Sequence, residues 1–349
     1  MRLPLSLITI IGLTALASTD LSVATPQQQR YSYTLSHPLP QPGIFAEGII
    51  SSGDYDTHPA FAPDGNTLYF LKCSAEIVTC TICVSHFKDN RWTEPVVAPF
   101  SGQYWDVDPF VTKDGKTLYF SSNRPLKKGD PAKADTDIWK VAVMSQGWGD
   151  PLRLDSPVNS TGGEYYPTLA DDGTIYFGSS REGGKGGSDI YRCPLVNGQY
   201  AAAENLGDSI NTADNEYEPF IAPDESYLIF MATIPQGLAN GDLYFSNNTN
   251  GQWSKAEKLP VPFNSASTEW SPKVTRDGRY FFFSSTRNRT NGVLSKPETI
   301  EQLTLRLRQA GNGLADIYQV DFSAVKAIMN KPVGATPKTS VNLSSGELR

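Results

Sequence analysis

An acidic residue stands three positions before a proline at five places: Asp56 before Pro59, Asp106 before Pro109, Glu164 before Pro167, Glu216 before Pro219 and Glu269 before Pro272. Three copies also supply an arginine downstream, Arg124 in Ser-Ser-Asn-Arg, Arg181 in Ser-Ser-Arg and Arg287 in Ser-Ser-Thr-Arg. A guanidinium fork suits a carboxylate, so the expected structural ion pairs are Asp106 with Arg124, Glu164 with Arg181 and Glu269 with Arg287. In the other two copies the matching positions fall near Ser74 and Ile234, which leaves Asp56 and Glu216 without a cation. His58 and Glu218 share their strands. Uncompensated carboxylates at a channel mouth suit a cation, a basic peptide terminus or an unusual titration. The plainer reading is that both acids are solvated or capped by backbone N–H groups.

Aromatic residues gather beside the acids: Tyr104, Trp105, Tyr165, Tyr166, Tyr217 and Trp270. Aromatic faces with carboxylates are what a glycan site uses, so Trp105, Tyr166 and Trp270 join Asp56, His58, Glu216 and Glu218 as ligand-binding candidates. Aromatics also fill the gaps between packed sheets. The usual catalytic signatures are missing: no HExxH, no phosphate-binding P-loop and no GxSxG elbow. The glycine-rich run 182–187 joins two strands rather than opening a helix, and reads as a hairpin.

These residues are positioned by a repeat. The five prolines are 50, 58, 52 and 53 residues apart. After each comes a short apolar run, then a turn (Asp64-Gly65, Asp114-Gly115, Asp172-Gly173, Asp224-Glu225, Asp277-Gly278), then an aromatic-rich run such as Leu68-Tyr69-Phe70. Asp-Gly between apolar runs marks a hairpin. A third strand follows around Ile82, Ile138, Ile190, Leu243 and Ile317, and a fourth opens at Trp92, Trp148, Tyr200 and Trp253. Four antiparallel strands per unit at a period near fifty predict an all-β propeller with five four-stranded blades. Six is the alternative. Five units need five outer strands and only four follow third strands, so residues near 45–52 must close the ring beside 316–320. The propeller is expected over 43–325.

The pattern acidic-x-x-Pro, Asp-Gly, Tyr-Phe-x-Ser-x-Arg, Asp-Ile-Tyr resembles the WD40-like, TolB-type β-propeller repeat family over about 45–322. The resemblance implies a propeller fold. It implies little about function, since that family spans binding scaffolds and enzyme-associated domains. The Tol-system protein itself has an additional N-terminal α/β domain, for which this chain is expected to have no room, so the resemblance does not carry that protein's role.

Residues 1–17 read as a secretory signal peptide, with a cut as late as residue 24 as the alternative. The protein is therefore expected to be exported, periplasmic or secreted, without membrane insertion. Residues 25–42 and 331–349, rich in Gln, Pro, Thr and Ser, read as mobile tails. A formal charge of −7 with no basic stripe disfavours nucleic acid. Cys73 is expected to form a disulfide with Cys80 or Cys83, the competing reading of Cys80-x-x-Cys83 being a metal site; Cys193 reads as a buried thiol. Start and stop signals bound one short helix near 297–309, with Ile300, Leu303 and Leu307 on one face.

The leading functional expectation is a non-enzymatic propeller, without a cofactor, binding a protein, peptide or glycan at one channel mouth. The alternative is a carbohydrate-active hydrolase or lyase using Asp56, Glu216 and Glu164 as its carboxylates. A third reading has the acidic ring holding Ca2+, a hard cation that prefers oxygen ligands.

Overall fold

The computed structural model describes residues 31–127, 129–233, 241–289 and 294–331. The signal-peptide reading and nearly all of the C-terminal tail fall outside these residues. The chain forms five antiparallel blades. Their innermost strands are Tyr55–Phe61, Asp106–Val111, Glu164–Leu169, Asn215–Ile221 and Glu269–Val274. Each pairs with a second strand across the Asp-Gly turn, and that strand pairs with a third. Glu225 replaces glycine in the fourth turn and adopts φ 57°, the left-handed conformation that Gly65, Gly115 and Gly278 take at φ 66–70°.

The fourth strand is split. A two-residue hairpin at each aromatic (Arg91–Trp92, Gly147–Trp148, Gln199–Tyr200, Gln252–Trp253) precedes a second short pairing, such as Leu152–Arg153 on the third strand of blade two. Blade five takes its fourth strand from the N-terminal side. Gly43–Ile44 pairs with Gln319 and Tyr318, two residues ahead of the expected span, and the Phe45 amide continues onto the Ile317 carbonyl.

The core lies between blades as five large apolar clusters, one per junction, with a small sixth of Tyr55, Trp270 and Ala315 where blades five and one meet. Between blades five and one, Phe45, Phe70, Trp92, Phe282 and Tyr33 meet. Tyr33 is buried, its carbonyl accepts from the Gln319 side chain, and the Leu39 amide donates to Asp321. Residues 31–42 are therefore fixed to the propeller, a correction to the mobile segment expected over 25–42. Burying one aromatic ring, worth about 1.5–3 kcal/mol, offsets the ordering of only about one or two residues, so the hydrogen bonds to Gln319 and Asp321 are needed as well.

The inserted helix is α1, Ile300–Leu307, capped by Thr299 and Gln302 in a reciprocal capping box. It buries none of its residues. A second helix, α2, Phe322–Met329, was not anticipated; it extends the last strand and seals the junction of blades four and five with Phe322, Val325 and Met329. The disulfide joins Cys73 to Cys80, while Cys83 and Cys193 are buried free thiols, so the Cys80-x-x-Cys83 pair holds no metal between its two sulfurs.

Candidate functional site

The repeated acids are scaffold. All five side chains are shielded from solvent, between 0% and 1% exposed. Arg124 reaches Asp106 at 2.7 Å, Arg181 reaches Glu164 at 3.2 Å, and Arg287 reaches Glu269 at 3.1 Å. Each arginine also donates to a carbonyl of the incoming connection (Phe100, Val158, Phe263) and lies over two aromatic rings of its own blade. Four of the acids clamp the chain four residues upstream: Ser52, Ser160, Thr212 and Ser265 each donate both backbone N–H and side-chain hydroxyl. That Ser/Thr at the fourth position before the acid is visible in the sequence and was the signal missed. One residue further upstream, Asn159, Asn211 and Asn264 pin the third strand of the preceding blade through its N–H and C=O.

Asp56 is not unpaired. Strand register puts Lys72 directly opposite it, and Lys72 Nζ lies 2.6 Å from the carboxylate. Blades two, three and five place serine there (Ser122, Ser179, Ser285) and blade four places Ala232. Glu216 thus lacks a cation among the described residues and is held by Thr212 alone; burial pushes its carboxyl up, against the pull of the Thr212 bonds. It borders a side crevice of about 200 Å³, not the central one. The five acids belong to five separate junctions. They do not form the Ca2+-binding ring, nor can Asp56, Glu216 and Glu164 serve as catalytic or ligand-binding groups in the channel.

The channel is lined instead by the residues two positions further on: His58, Asp108, Tyr166, Glu218 and Ser271. Each innermost strand carries a one-residue bulge there, between Thr57 and Ala60 and at its four equivalents. Each of these five residues has φ between 53° and 57°. Left-handed backbone in non-glycine residues is strained, and five aligned instances re-aim five side chains toward the axis. The following proline has no N–H to lose in the bulge.

At the centre, His58 Nε2 lies 3.1 Å from Asp108 Oδ1 and 3.2 Å from Glu218 Oε1. The remaining carboxylate oxygens accept backbone N–H groups of the next blades, Tyr166 to Asp108 Oδ2 at 3.0 Å and Ser271 to Glu218 Oε2 at 2.6 Å. Burial would lower the His58 pKa, but Glu218 and Asp108 outweigh it and raise it to about 9. Tyr166 crosses the channel, its hydroxyl donating to the Pro272 carbonyl at 2.9 Å. Beneath it, Lys273 Nζ sits 4.0 Å from the Tyr166 ring with no hydrogen-bond partner among the described residues. Burial drives its pKa down to about 7, with Asp108 and Glu218 opposing the fall.

Above this floor opens a pocket of about 500 Å³ walled by Tyr55, Trp105, Tyr165, Tyr217 and Trp270, with Leu71, Val107, Met231 and the Cys73–Cys80 disulfide. Gly178 lies across from Tyr165, and a Cβ there would fall 2.4 Å from the ring; glycine lets that ring lie against the strand. Of the expected ligand residues, His58, Glu218, Trp105 and Trp270 line the pocket, and Tyr166 lies buried beneath it. Asp108 was missed. The mouth bearing this pocket is also where second strands connect to third ones, including the disulfide loop 74–79 and the α1 insertion. The opposite mouth carries the tight Asp-Gly turns and a cavity of about 90 Å³. The two ends are unequal.

Among the described residues no group of three or more His, Cys, Asp or Glu is arranged to hold a metal ion. No family model matches the chain, and no curated protein does. Solved structures similar to it include an α-L-arabinofuranosidase from Lactobacillus brevis (TM-score 0.48, 12% identity, covering 77% of this chain and 91% of that one). An α-L-arabinanase from Penicillium chrysogenum, complexed with arabinobiose, has TM-score 0.44 and 14% identity over 80% of this chain and 99% of that one. A puromycin-hydrolyzing peptidase from Mycobacterium tuberculosis has TM-score 0.38 and 14% identity; 70% of this chain matches it and spans 36% of its length. At such scores these likenesses carry no argument about chemistry.

Proposed function

We propose that this propeller is a binding protein that seats a small ligand, or the end of a glycan or peptide, in the aromatic-walled pocket without turning it over. The observation that carries the reading is the state of the two pocket carboxylates. Three of the four oxygens of Asp108 and Glu218 already accept a hydrogen bond from the protein, and the fourth, Asp108 Oδ1, is held 3.1 Å from the His58 ring nitrogen. A general acid or a nucleophile must instead offer a free oxygen within reach of substrate. A rigid, pre-satisfied polar floor beneath aromatic walls fits a site that orients a ligand. Export to a periplasm or the cell exterior belongs to the same proposal. The test is titration calorimetry of the mature protein against oligosaccharides, short peptides and small cations. Saturable binding that Tyr217→Ala weakens supports it; turnover of any bound compound that tracks with the protein overturns it.

The second reading, a carbohydrate-active hydrolase, now rests on Asp108 and Glu218, since one nitrogen holds both and a carboxylate pair flanking a pocket is what glycoside hydrolysis employs. It requires His58 to leave its position between them. Release of reducing ends by the native protein and not by Glu218→Gln would establish it.

A further inference from the structure

We infer that the ligand of this pocket is an alkylated organic ammonium cation, its methyl groups against the aromatic rings and its charge toward Asp108 and Glu218. This rests on the binding reading above and names the ligand class.

Three observations lead to it. First, the walls are rings, five of them, and ring faces attract ammonium groups at about 0.5–2 kcal/mol each. Second, the lining carries two carboxylates against one imidazolium and no lysine or arginine, so the pocket's field favours a cation. Third, the spare hydrogen-bonding groups sit on the rings themselves: the Trp105 indole N–H has no partner among the described residues, and the Tyr55 and Tyr217 hydroxyls also belong to the lining. The Thr57 hydroxyl donates to Ser284, the Thr136 hydroxyl to the Glu164 carbonyl, and the Tyr165 hydroxyl is bonded to Ser188. Leu71, Val107, Met231 and the disulfide offer nothing polar. A sugar buried here would recover only part of its hydrogen bonding from these ring groups, at a cost of about 1–3 kcal/mol for each hydroxyl left unmet. The methyl groups of a quaternary ammonium ask for no hydrogen bonds.

Beyond the His58 imidazolium, one further charge opposes such a ligand. Lys273, on blade five, lies under Tyr166 of blade three and interacts with Asp108 of blade two and Glu218 of blade four, with His58 of blade one beside them. A lysine with a pKa near 7 loses its charge as pH rises from 6 to 8, while His58, with a pKa near 9, keeps its own. Affinity for an ammonium ligand should therefore rise over that range.

The experiment is calorimetry with choline against 3,3-dimethylbutan-1-ol, its uncharged isostere, and against a panel of neutral oligosaccharides. Choline should bind about tenfold more tightly than the isostere, the equivalent of one modest cation–π or charge interaction. It should bind more tightly at pH 8 than at pH 6, and Asp108→Asn should weaken it about tenfold with circular dichroism unchanged. A tripeptide carrying trimethyllysine separates a peptide source from a free head group, and binding of either supports the ammonium class. Equal affinity for choline and its isostere overturns the inference. Oligosaccharide binding without choline binding also overturns it and leaves the proposed function standing. Silence toward every probe defeats both.

Discussion

Two rings of side chains circle the channel, two residues apart in sequence, and they behave oppositely. The outer ring, Asp56, Asp106, Glu164, Glu216 and Glu269, is chemically uniform, and each member is consumed within its own blade junction. The inner ring, His58, Asp108, Tyr166, Glu218 and Ser271, differs at every position and shares a strained backbone. The contrast teaches that in this fold repetition marks scaffold. What the repeat leaves free to vary marks the site. Motif-hunting rewards the repeated residues, which here are the wrong ones for chemistry.

The sharpest break in the comparison comes from the outer ring. Arg287→Met removes the cation from Glu269, which is 0% exposed, and the donor to the Phe263 carbonyl. An uncompensated buried carboxylate costs about 3–5 kcal/mol, read as a large fall in Tm in a thermal melt. Asp106 and Arg124 should behave alike. A melt indistinguishable from the parent would mean that the outer ring is not the scaffold.

A smaller effect belongs to the third strands, whose leading acids repeat as Asp137, Asp189, Asp242 and Asp316. Asp137 has Arg153, Asp189 has Asn205 and Asp242 has Lys258, all from the fourth strand. Blade five borrows Gly43–Ile44 as its fourth strand, which brings no such partner. Asp316 keeps one bond, from the Gly311 amide, and its other oxygen has no donor among the described residues. Burial raises its pKa to about 7, with the Gly311 amide opposing. The folded state therefore holds a proton that the unfolded chain releases near the ordinary carboxylate value, so stability falls as pH climbs from about 4 to 7. Asp316→Asn should remove that slope and raise Tm at pH 8 while changing little at pH 4. Parallel melts across this range would show that Asp316 has a compensating charge.

The inner ring should answer differently. Glu218→Gln keeps an acceptor for the Ser271 amide, so its stability cost should stay near 1 kcal/mol, within the usual worth of one hydrogen bond, while ligand affinity drops about tenfold. A loss of stability as large as that of Arg287→Met, with affinity intact, would erase the distinction between the rings.

The blades were legible because the hairpin turn, the proline and the aromatic run recur together five times. The arginine pairs were legible because each arginine follows its Ser-Ser step. Lys72 was not, since it lies two residues before the position aligned by counting from the arginines; strand register, not sequence offset, decides what faces Asp56. His58, Tyr166 and Glu218 were legible as neighbours of the acids, but the ring they form was hidden by the rule of alternation, which sends Asp56 and His58 to one face of a strand. The bulge breaks that rule, and the only trace it leaves in the sequence is the proline after the bulged residue. Asp108 disappeared into Asp-Val-Asp-Pro as a second copy of the same acid. The α2 helix follows the last repeat, where period-reading stops, although Phe322, Val325 and Met329 carry helical spacing.

The smallest effect tests the one outer-ring acid that lacks a cation among the described residues. Glu216 is 1% exposed and faces Ala232 where its counterparts face serine or lysine. The Thr212 N–H needs an acceptor oxygen and not a charge, which a glutamine supplies, while its NH2 group donates to the Thr212 hydroxyl, which turns from donor to acceptor. Because burial raises its folded pKa, the carboxylate destabilises the fold progressively as pH rises above the ordinary glutamate range, and glutamine does not. Glu216→Gln should therefore be neutral at pH 4 and modestly stabilising at pH 7, by a degree or so of Tm for each few tenths of a kcal/mol. The sign opposes that of Arg287→Met, although both substitutions act on the same ring. Destabilisation at pH 7 would mean that Glu216 is compensated after all, and that the outer ring is uniform in its energetics as well as in its sequence.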